Sequence, residues 1–249
     1  MDETAWADRA GSFDAAVDAY ERARPTYPVE AVAWLVPPGA RRVLDLGAGT
    51  GKLTRLLVAA GYEVVAVEPL AGMREELARR VPEATVLAGS AEDLPLPDGS
   101  VDAVLVAQAW HWFDEARASA EAARVLRPGG TLGPMWNQQD DSVGWVRELR
   151  RGLGELKPVT ASRDDDPVPH LGPAFTPAER REFTYEQEMD LPTLLDNIRS
   201  RSYVITRSEA ERSLLLAGVT ELTRTHPDLA GRERFTMPYL TRCWRGYRR

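Results

Sequence analysis

"VLDLGAGTGKL", residues 43–53, decides how the rest of this chain is read. An apolar run ending in Asp45 is followed at once by three glycines at alternate positions, Gly47, Gly49 and Gly51. Glycine tolerates positive φ and carries no Cβ, so a cluster of this density marks a tight turn or a backbone that something must approach closely. The run before it has the length and composition of a short buried strand. The stretch behind it, "GKLTRLLVAAG", has the spacing of an amphipathic helix, with Gly61 just past its end as a C-terminal cap.

Two phosphate-binding templates can be laid on this stretch, and both miss. A P-loop needs Gly, four residues, Gly-Lys and then a hydroxyl. With Gly51-Lys52 as the anchor, the first glycine falls on Leu46 and the magnesium-binding hydroxyl on Leu53. The dinucleotide fingerprint G-x-G-x-x-G/A accepts Gly47 and Gly49 but puts its third position on Lys52, whose side chain would obstruct the close helix–strand approach that the last glycine permits. What remains is acidic-x-Gly-x-Gly-x-Gly, at 45, 47, 49 and 51.

Outward from this stretch the chain alternates strand and helix. "YEVVAVE" reads as a second strand and Leu70 to Val81 as a helix stopped by Pro82. "ATVLAGS" reads as a third strand and "VDAVLVAQ" as a fourth, buried on both faces. Residues 115–125 read as a helix, after which "RPGG" turns into a fifth strand, "TLGPMWN". Such alternation implies right-handed crossovers and a parallel sheet covered by helices on both faces. Before it, residues 13–36 read as two short helices broken by Pro25 and Pro28. After Asn137 the rhythm changes. Residues 142–157 read as helical, 158–178 as a long Pro- and Asp-rich loop of the kind that serves as a lid, and "REFTYEQEM" and "RFTMPYLTRCW" as two last strands with helices over 192–199 and 208–224 between them.

Bulk properties exclude several classes. A hydrophobic fraction of 43% supports a sizeable core, and a net charge of −7 opposes general nucleic-acid binding. The basic C-terminus "RCWRGYRR" reads as a solvated tail. One cysteine, Cys243, leaves no disulfide framework or Cys-based zinc site and reads as a small apolar strand residue; no ligand cluster implies a metal. The acidic start lacks an apolar signal core, and no run approaches the ~18 apolar residues of a membrane span. The default expectation is a soluble cytoplasmic protein, monomer or homodimer, without membrane or nucleic-acid partners.

The order of these motifs resembles the bacterial class I S-adenosylmethionine-dependent methyltransferases of the type 11-like group. The glycine stretch resembles their motif I. "VVAVEP", "GSAEDLPLPDGSVDAVLVAQAWHWFD" and "EAARVLRPGGTL" resemble the later segments in the right order. "YERARPTYP" and "RSRSYV" resemble the trans-aconitate methyltransferase subgroup. The resemblance implies a Rossmann-like α/β fold: a seven-stranded, mostly parallel sheet with helices on both faces and a helical cap. The chain would be a single methyltransferase domain, with a cap over 1–38, a cofactor core over 39–137, and a substrate-side insert, lid loop and last strands over 138–249.

For the site, the resemblance implies that Gly47, Ala48 and Gly49 lie against the methionine part of S-adenosylmethionine, S-adenosylhomocysteine being the product. Asp45 would order the loop and help receive the ammonium group, and Glu68, followed by Pro69, would accept the ribose hydroxyls. Ser90, Ala91 and Glu92 would meet adenine. Ala107 and Gln108 would stand beside the methionine end, with Tyr20 and Arg24 folding over it. His111 is the candidate general base. Trp110 and Trp112 could present an aromatic face to the sulfonium and the acceptor, and Arg199, Arg201 and Tyr203 could bind an acidic acceptor.

Plainer readings stand beside these. Asp45 and Glu68 could pair with Arg41 or Arg74, the "AWHWF" aromatics could fill the core, and the arginines near 200 could be a solvated helix face. His170 and His226 read as solvent-facing, and Gly61 and Gly129 as structural. The reaction expected is methyl transfer to a small molecule, with O-methylation of a carboxylate favoured. A non-catalytic cofactor-binding sensor or scaffold and a nicotinamide-linked oxidoreductase are the alternatives.

Overall fold

In the computed structural model, residues 23–155 and 168–249 are described. Residues 13–22 of the first expected N-terminal helix and residues 158–167 of the expected lid loop lie outside them. The elements run α1 (Val29–Leu35), β1 (Arg42–Leu46), α2 (Lys52–Ala59), β2 (Glu63–Val67), α3 (Ala71–Arg80), β3 (Thr85–Leu87), β4 (Val101–Ala107), a 3-10 turn (Trp110–Trp112), α4 (Glu115–Val125) and β5 (Leu126–Gln139). They continue through α5 (Gly144–Leu153), β6 (Glu179–Met189), α6 (Leu191–Arg199), α7 (Ser202–Ile205), α8 (Glu209–Thr225) and β7 (Phe235–Tyr247).

The seven strands form one sheet in the order β3-β2-β1-β4-β5-β7-β6. β1 pairs in parallel with β2 and β4, β2 with β3, and β4 with β5. β7 runs the other way: the Gly129 N–H donates to the Arg248 carbonyl, while Asp140, at the far end of β5, donates to Pro238. The order reverses between β1 and β4, so the carboxyl ends of these strands flank the crevice where open α/β sheets bind ligands. The expected Rossmann-like fold, mostly parallel with one antiparallel hairpin, is the fold observed.

By its contacts the chain divides into two units. One comprises Thr26–Gln138, Arg163–Tyr185 and Leu240–Arg249; the other comprises Met1–Pro25, Gln139–Ser162 and Glu186–Tyr239. In the first, strand alternation distributes side chains to two cores. Leu44, Leu46, Val104 and Val106 join Ala118, Ala122 and Val125 of α4 on one face. Val43, Ala103 and Leu105 join Ala31 and Leu35 of α1 and Leu53 and Leu57 of α2 on the other. In the second, Trp145 of α5 meets Phe235 edge-on at 5.6 Å, and α8 opens with a capping box between Ser208 and Glu211. Among the described residues, no helix is long and apolar enough to cross a membrane.

Three expectations need correcting. "RPGG" is not a turn before β5 but a bulge within it: Val101 pairs with Leu126 and Ala103 with Thr131, so the extra residues bulge out around Gly129 at φ +76°. The basic C-terminus is no solvated tail. Arg242 is 4% exposed and donates to Glu182 at 2.9 Å, and the Arg245 guanidinium lies 4.3 Å from the Trp34 ring centre. Long arginine stems bury readily once β6 supplies carboxylates for their heads. His226 does not face solvent either; its side chain is 11% exposed, and its Nδ1 accepts the Asp228 N–H at 3.1 Å, closing the end of α8. Cys243 is fully buried and unbridged, and burial pushes its thiol up to about 12.

Candidate active site

The glycine turn hangs from β2. The N–H groups of Gly47 and Ala48 both donate to the Val67 carbonyl, at 2.9 and 3.2 Å. The three glycines answer to three different constraints. Gly47, at φ +70°, leaves no room: a Cβ there would stand 2.9 Å from Ala109 Cβ and 3.2 Å from the Phe113 ring. Gly51, at φ +92°, caps α2, and a Cβ there would meet Leu77 of α3 at 2.7 Å. Gly49, at φ +57°, has no atom within 4 Å of where its Cβ would be. Its bare backbone borders open space, as a ligand cradle requires.

Glu68, the residue directly after β2, is 5% exposed and braces this turn. Its Oε2 accepts the Gly49 N–H and its Oε1 the Leu70 N–H, both at 3.0 Å. Each carboxylate oxygen can take a further donor. Arg74 bonds the main-chain carbonyls of Glu68 and Pro69 rather than the carboxylate, so the plain ion-pair reading of Glu68 fails. Asp45 is held not by Arg41 but by Thr54 on α2, whose hydroxyl donates to Oδ2 at 2.6 Å. Its Oδ1 is buried without a partner. Burial pushes the Asp45 carboxyl up to about 7; the Thr54 hydrogen bonds oppose this, and the neighbouring Glu68 charge adds to it.

The other expected adenine and methionine contacts divide. Ala91 is packed in the core at 3% exposure, and the Glu92 carboxylate accepts the Asp114 N–H at 2.9 Å, at the entry to α4. Ser90, whose carbonyl accepts the Asp93 N–H at 3.4 Å, has its side chain uncommitted by that turn. Gln108, just after Ala107, is at φ +60°, a left-handed conformation rare for a residue with a Cβ. Its main chain donates to the Met135 carbonyl and its Nε2 to the Asn137 carbonyl. Asn137 in turn donates to the Thr26 carbonyl at 2.7 Å and accepts from the Thr241 hydroxyl at 2.6 Å. One carboxamide thus ties three chain segments together beside the strained residue. Asn137→Ala is expected to cost about 2–4 kcal/mol of stability, read by urea unfolding, because it strands two partly buried partners.

The aromatic cluster separates by burial. Trp110 is 1% exposed and fills the core edge-on to Phe113, whereas Trp112 is 74% exposed. His111 lies against Trp112, ring centres 4.9 Å apart, and its Nδ1 accepts the Trp136 indole N–H at 3.3 Å. Burial holds the imidazole below its ordinary range.

Of the remaining candidates, Tyr20 lies outside the described residues. Arg24 bonds the hydroxyl and carbonyl oxygens of Ser200, at 3.0 and 2.8 Å. Arg199 pairs with Asp196 along its own helix, an exposed pair. Arg201 and Tyr203 both engage the Glu155 carboxylate, with Asn197 completing the cluster. Burial pushes Glu155 up, but Arg201, Tyr203 and Arg150 outweigh it and hold the carboxyl below its ordinary range. The charge of Arg201 is satisfied within this cluster. Thr54, Trp136 and Asn137 were missed from sequence, and only Thr54, in the first turn of the helix after the glycines, carried a local signal.

Comparison with known proteins identifies the family to which this fold belongs. The methyltransferase-domain family matches residues 44–133. An uncharacterised methyltransferase of Mycobacterium tuberculosis is 50% identical over 241 residues, 96% of each chain. A malonyl-[acyl-carrier protein] O-methyltransferase of Methylococcus capsulatus is 46% identical over 104 residues, 39% of this chain and 38% of that one. The solved structure of a type II methyltransferase from Anaeromyxobacter dehalogenans superimposes with a TM-score of 0.65 at 27% identity, covering 90% of this chain and 96% of that one. A methyltransferase relative along nearly the whole chain and a methyltransferase structure on the same fold leave no place for the nicotinamide-linked alternative: the chain belongs to the class I S-adenosylmethionine-dependent methyltransferases.

Proposed function

We propose that the chain transfers a methyl group from S-adenosylmethionine to an oxygen of a small carboxylic acid. The observation that carries the cofactor half is the open space at Gly49, braced by Glu68 and backed by the partnerless Oδ1 of Asp45. These features fit a ligand that brings hydroxyls and an ammonium group and no phosphate. The Gly47–Gly49 backbone, with Ala48, would hold the methionine part, Glu68 beside Pro69 the ribose hydroxyls, Asp45 the ammonium, and Ser90 and Ala91 the adenine. Ala107 and Gln108 would border the methionine end, with Gln108 fixed by Asn137. When bound, the cofactor supplies an electrophilic methyl on a sulfonium, whose carbon–sulfur electrons return to sulfur as the acceptor's lone pair forms the new bond. The chain's own contribution is alignment and the exclusion of water.

Oxygen as the acceptor atom draws support from the O-methyltransferase relative, and a small carboxylic acid from the segments "YERARPTYP" and "RSRSYV". Arg199, Arg201 and Tyr203, expected to bind that acid, are engaged with acidic partners of their own. The test is titration calorimetry with S-adenosylhomocysteine, followed by an acceptor screen over small mono- and polycarboxylates. Glu68→Ala is expected to weaken binding about tenfold to a hundredfold, the worth of hydrogen bonds to a charged acceptor. Equal binding by the variant would remove Glu68 from the site. Tight binding with no transfer to any acceptor would favour the sensor reading.

A further inference from the structure

We propose that His111 is a locked hydrogen-bond donor rather than a general base: the Trp136 indole fixes it as the neutral Nε2–H tautomer, and that N–H serves an oxygen of the acceptor. The inference rests on the methyltransferase reading above and narrows its acceptor. Its starting point is the bond from Trp136 Nε1 to His111 Nδ1, at 3.3 Å. An indole N–H can only donate. His111 Nδ1 must therefore present its lone pair, which excludes the Nδ1–H tautomer and sets two N–H groups against each other if the ring becomes an imidazolium. In the neutral ring the one hydrogen is then on Nε2. Burial opposes the imidazolium as well.

A general base needs a lone pair aimed at the proton it removes. In His111 the Nε2 lone pair is replaced by N–H and the Nδ1 lone pair is occupied by Trp136. The ring that remains is a donor on a turn that packs against the glycine turn, since Ala109 and Phe113, two residues to either side of it, are what a Cβ on Gly47 would strike. A donor there suits an acceptor that is already an anion with two oxygens. One oxygen's lone pair forms the bond to methyl carbon while the carbon–sulfur pair goes to sulfur, and the other oxygen accepts the Nε2–H. No proton is released, so no base is needed. A phenol or an alcohol, which must lose a proton, is disfavoured by the same geometry.

The lock is read directly by nitrogen-15 NMR of the ligand-free protein labelled at histidine. His111 should show a protonated Nε2 and a bare Nδ1, and Trp136→Phe should mix the tautomers and raise the pH at which the ring titrates. A protonated Nδ1 in the wild type overturns the proposal. The donor role is read with a methylated carboxylate as reporter. His111→Gln, which keeps an N–H near the Nε2 position, should retain kcat within about tenfold, while His111→Leu should lose about tenfold to a hundredfold. A donor also predicts a kcat–pH profile without an ionisation in the imidazole range. Equal loss in both variants, or an ionisation that disappears with His111, overturns the donor role. An intact Nε2–H in a protein that methylates phenols but no carboxylate overturns the acceptor class and the donor role while the tautomer lock stands, which separates the two failures.

Discussion

Gly49→Ala is expected to abolish detectable binding of S-adenosylhomocysteine while the protein stays folded, and Gly47→Ala to do more harm to the fold itself. Both positions are in the left-handed region, at φ +57° and +70°, so each alanine carries about 1–2 kcal/mol of backbone strain. At Gly49 nothing is added to that cost, because no atom lies within 4 Å of the new Cβ. A melting-temperature loss of roughly 2–8 °C follows for a domain of this size. The methyl group would instead occupy the space proposed for the cofactor. At Gly47 the Cβ overlaps Ala109 Cβ at 2.9 Å and crowds the Phe113 ring at 3.2 Å, and a Cβ, fixed to its own main chain, cannot swing aside. Overpacking adds about 1–3 kcal/mol, for a melting loss of roughly 4–20 °C. Calorimetry of unfolding and of ligand binding on the two variants gives the contrast. A Gly49→Ala protein that bound S-adenosylhomocysteine as tightly as the wild type would dissociate this open space from the cofactor.

That contrast was only half visible in the sequence. The alternation of apolar residues in "RVLDL" and "VDAVLVAQ", and the caps and stops of the helices, depend on neighbours within a few residues, so the order of elements and the acids at the ends of β1 and β2 could be read directly. Which glycine borders open space and which faces Leu77 depends on what packs from 26 residues away. The same holds for the arginines of β7. Their type suggests solvent, and only the pairing with Glu179 and Glu182, about 60 residues earlier, buries them. His111 read as a base because its chemistry permits that; the indole that takes its Nδ1 is on β5, and no local pattern announces it. The "RPGG" bulge failed for a related reason. Positive φ at Gly129 is a turn signal in the chain, but the ladder with β4 resumes beyond it.

Asp45 carries the second large expectation, a pH dependence with opposite signs in the ligand-free and ligand-bound protein. Burial has raised its carboxyl from 3.8 to about 7 in the folded chain. Between those values the folded state holds more protons than the unfolded one, so this group makes stability fall as pH rises from about 4 to 7. Above 7 the full cost of an ionised buried carboxylate is present, about 4 kcal/mol at 1.36 kcal/mol per pH unit. Asp45→Asn removes the titration, at the expense of a buried amide whose N–H groups lack partners, a cost of about 1–3 kcal/mol that does not vary with pH. The wild type should therefore lose stability relative to Asp45→Asn across this range, read as the difference between their urea midpoints at successive pH values. A difference that stays constant would mean that the carboxyl titrates normally. Cofactor binding reverses the sign. If the partnerless Oδ1 receives the ammonium group, only the ionised form binds, and each pH unit below 7 should weaken S-adenosylhomocysteine binding by up to about tenfold, with proton release measurable as a buffer-dependent heat. Asp45→Asn should bind weakly and without this slope. Wild-type affinity that is flat from about pH 6 to 8, one pH unit to either side of 7, would place the ammonium elsewhere and leave Asp45 as a brace for Thr54 and the first turn of α2.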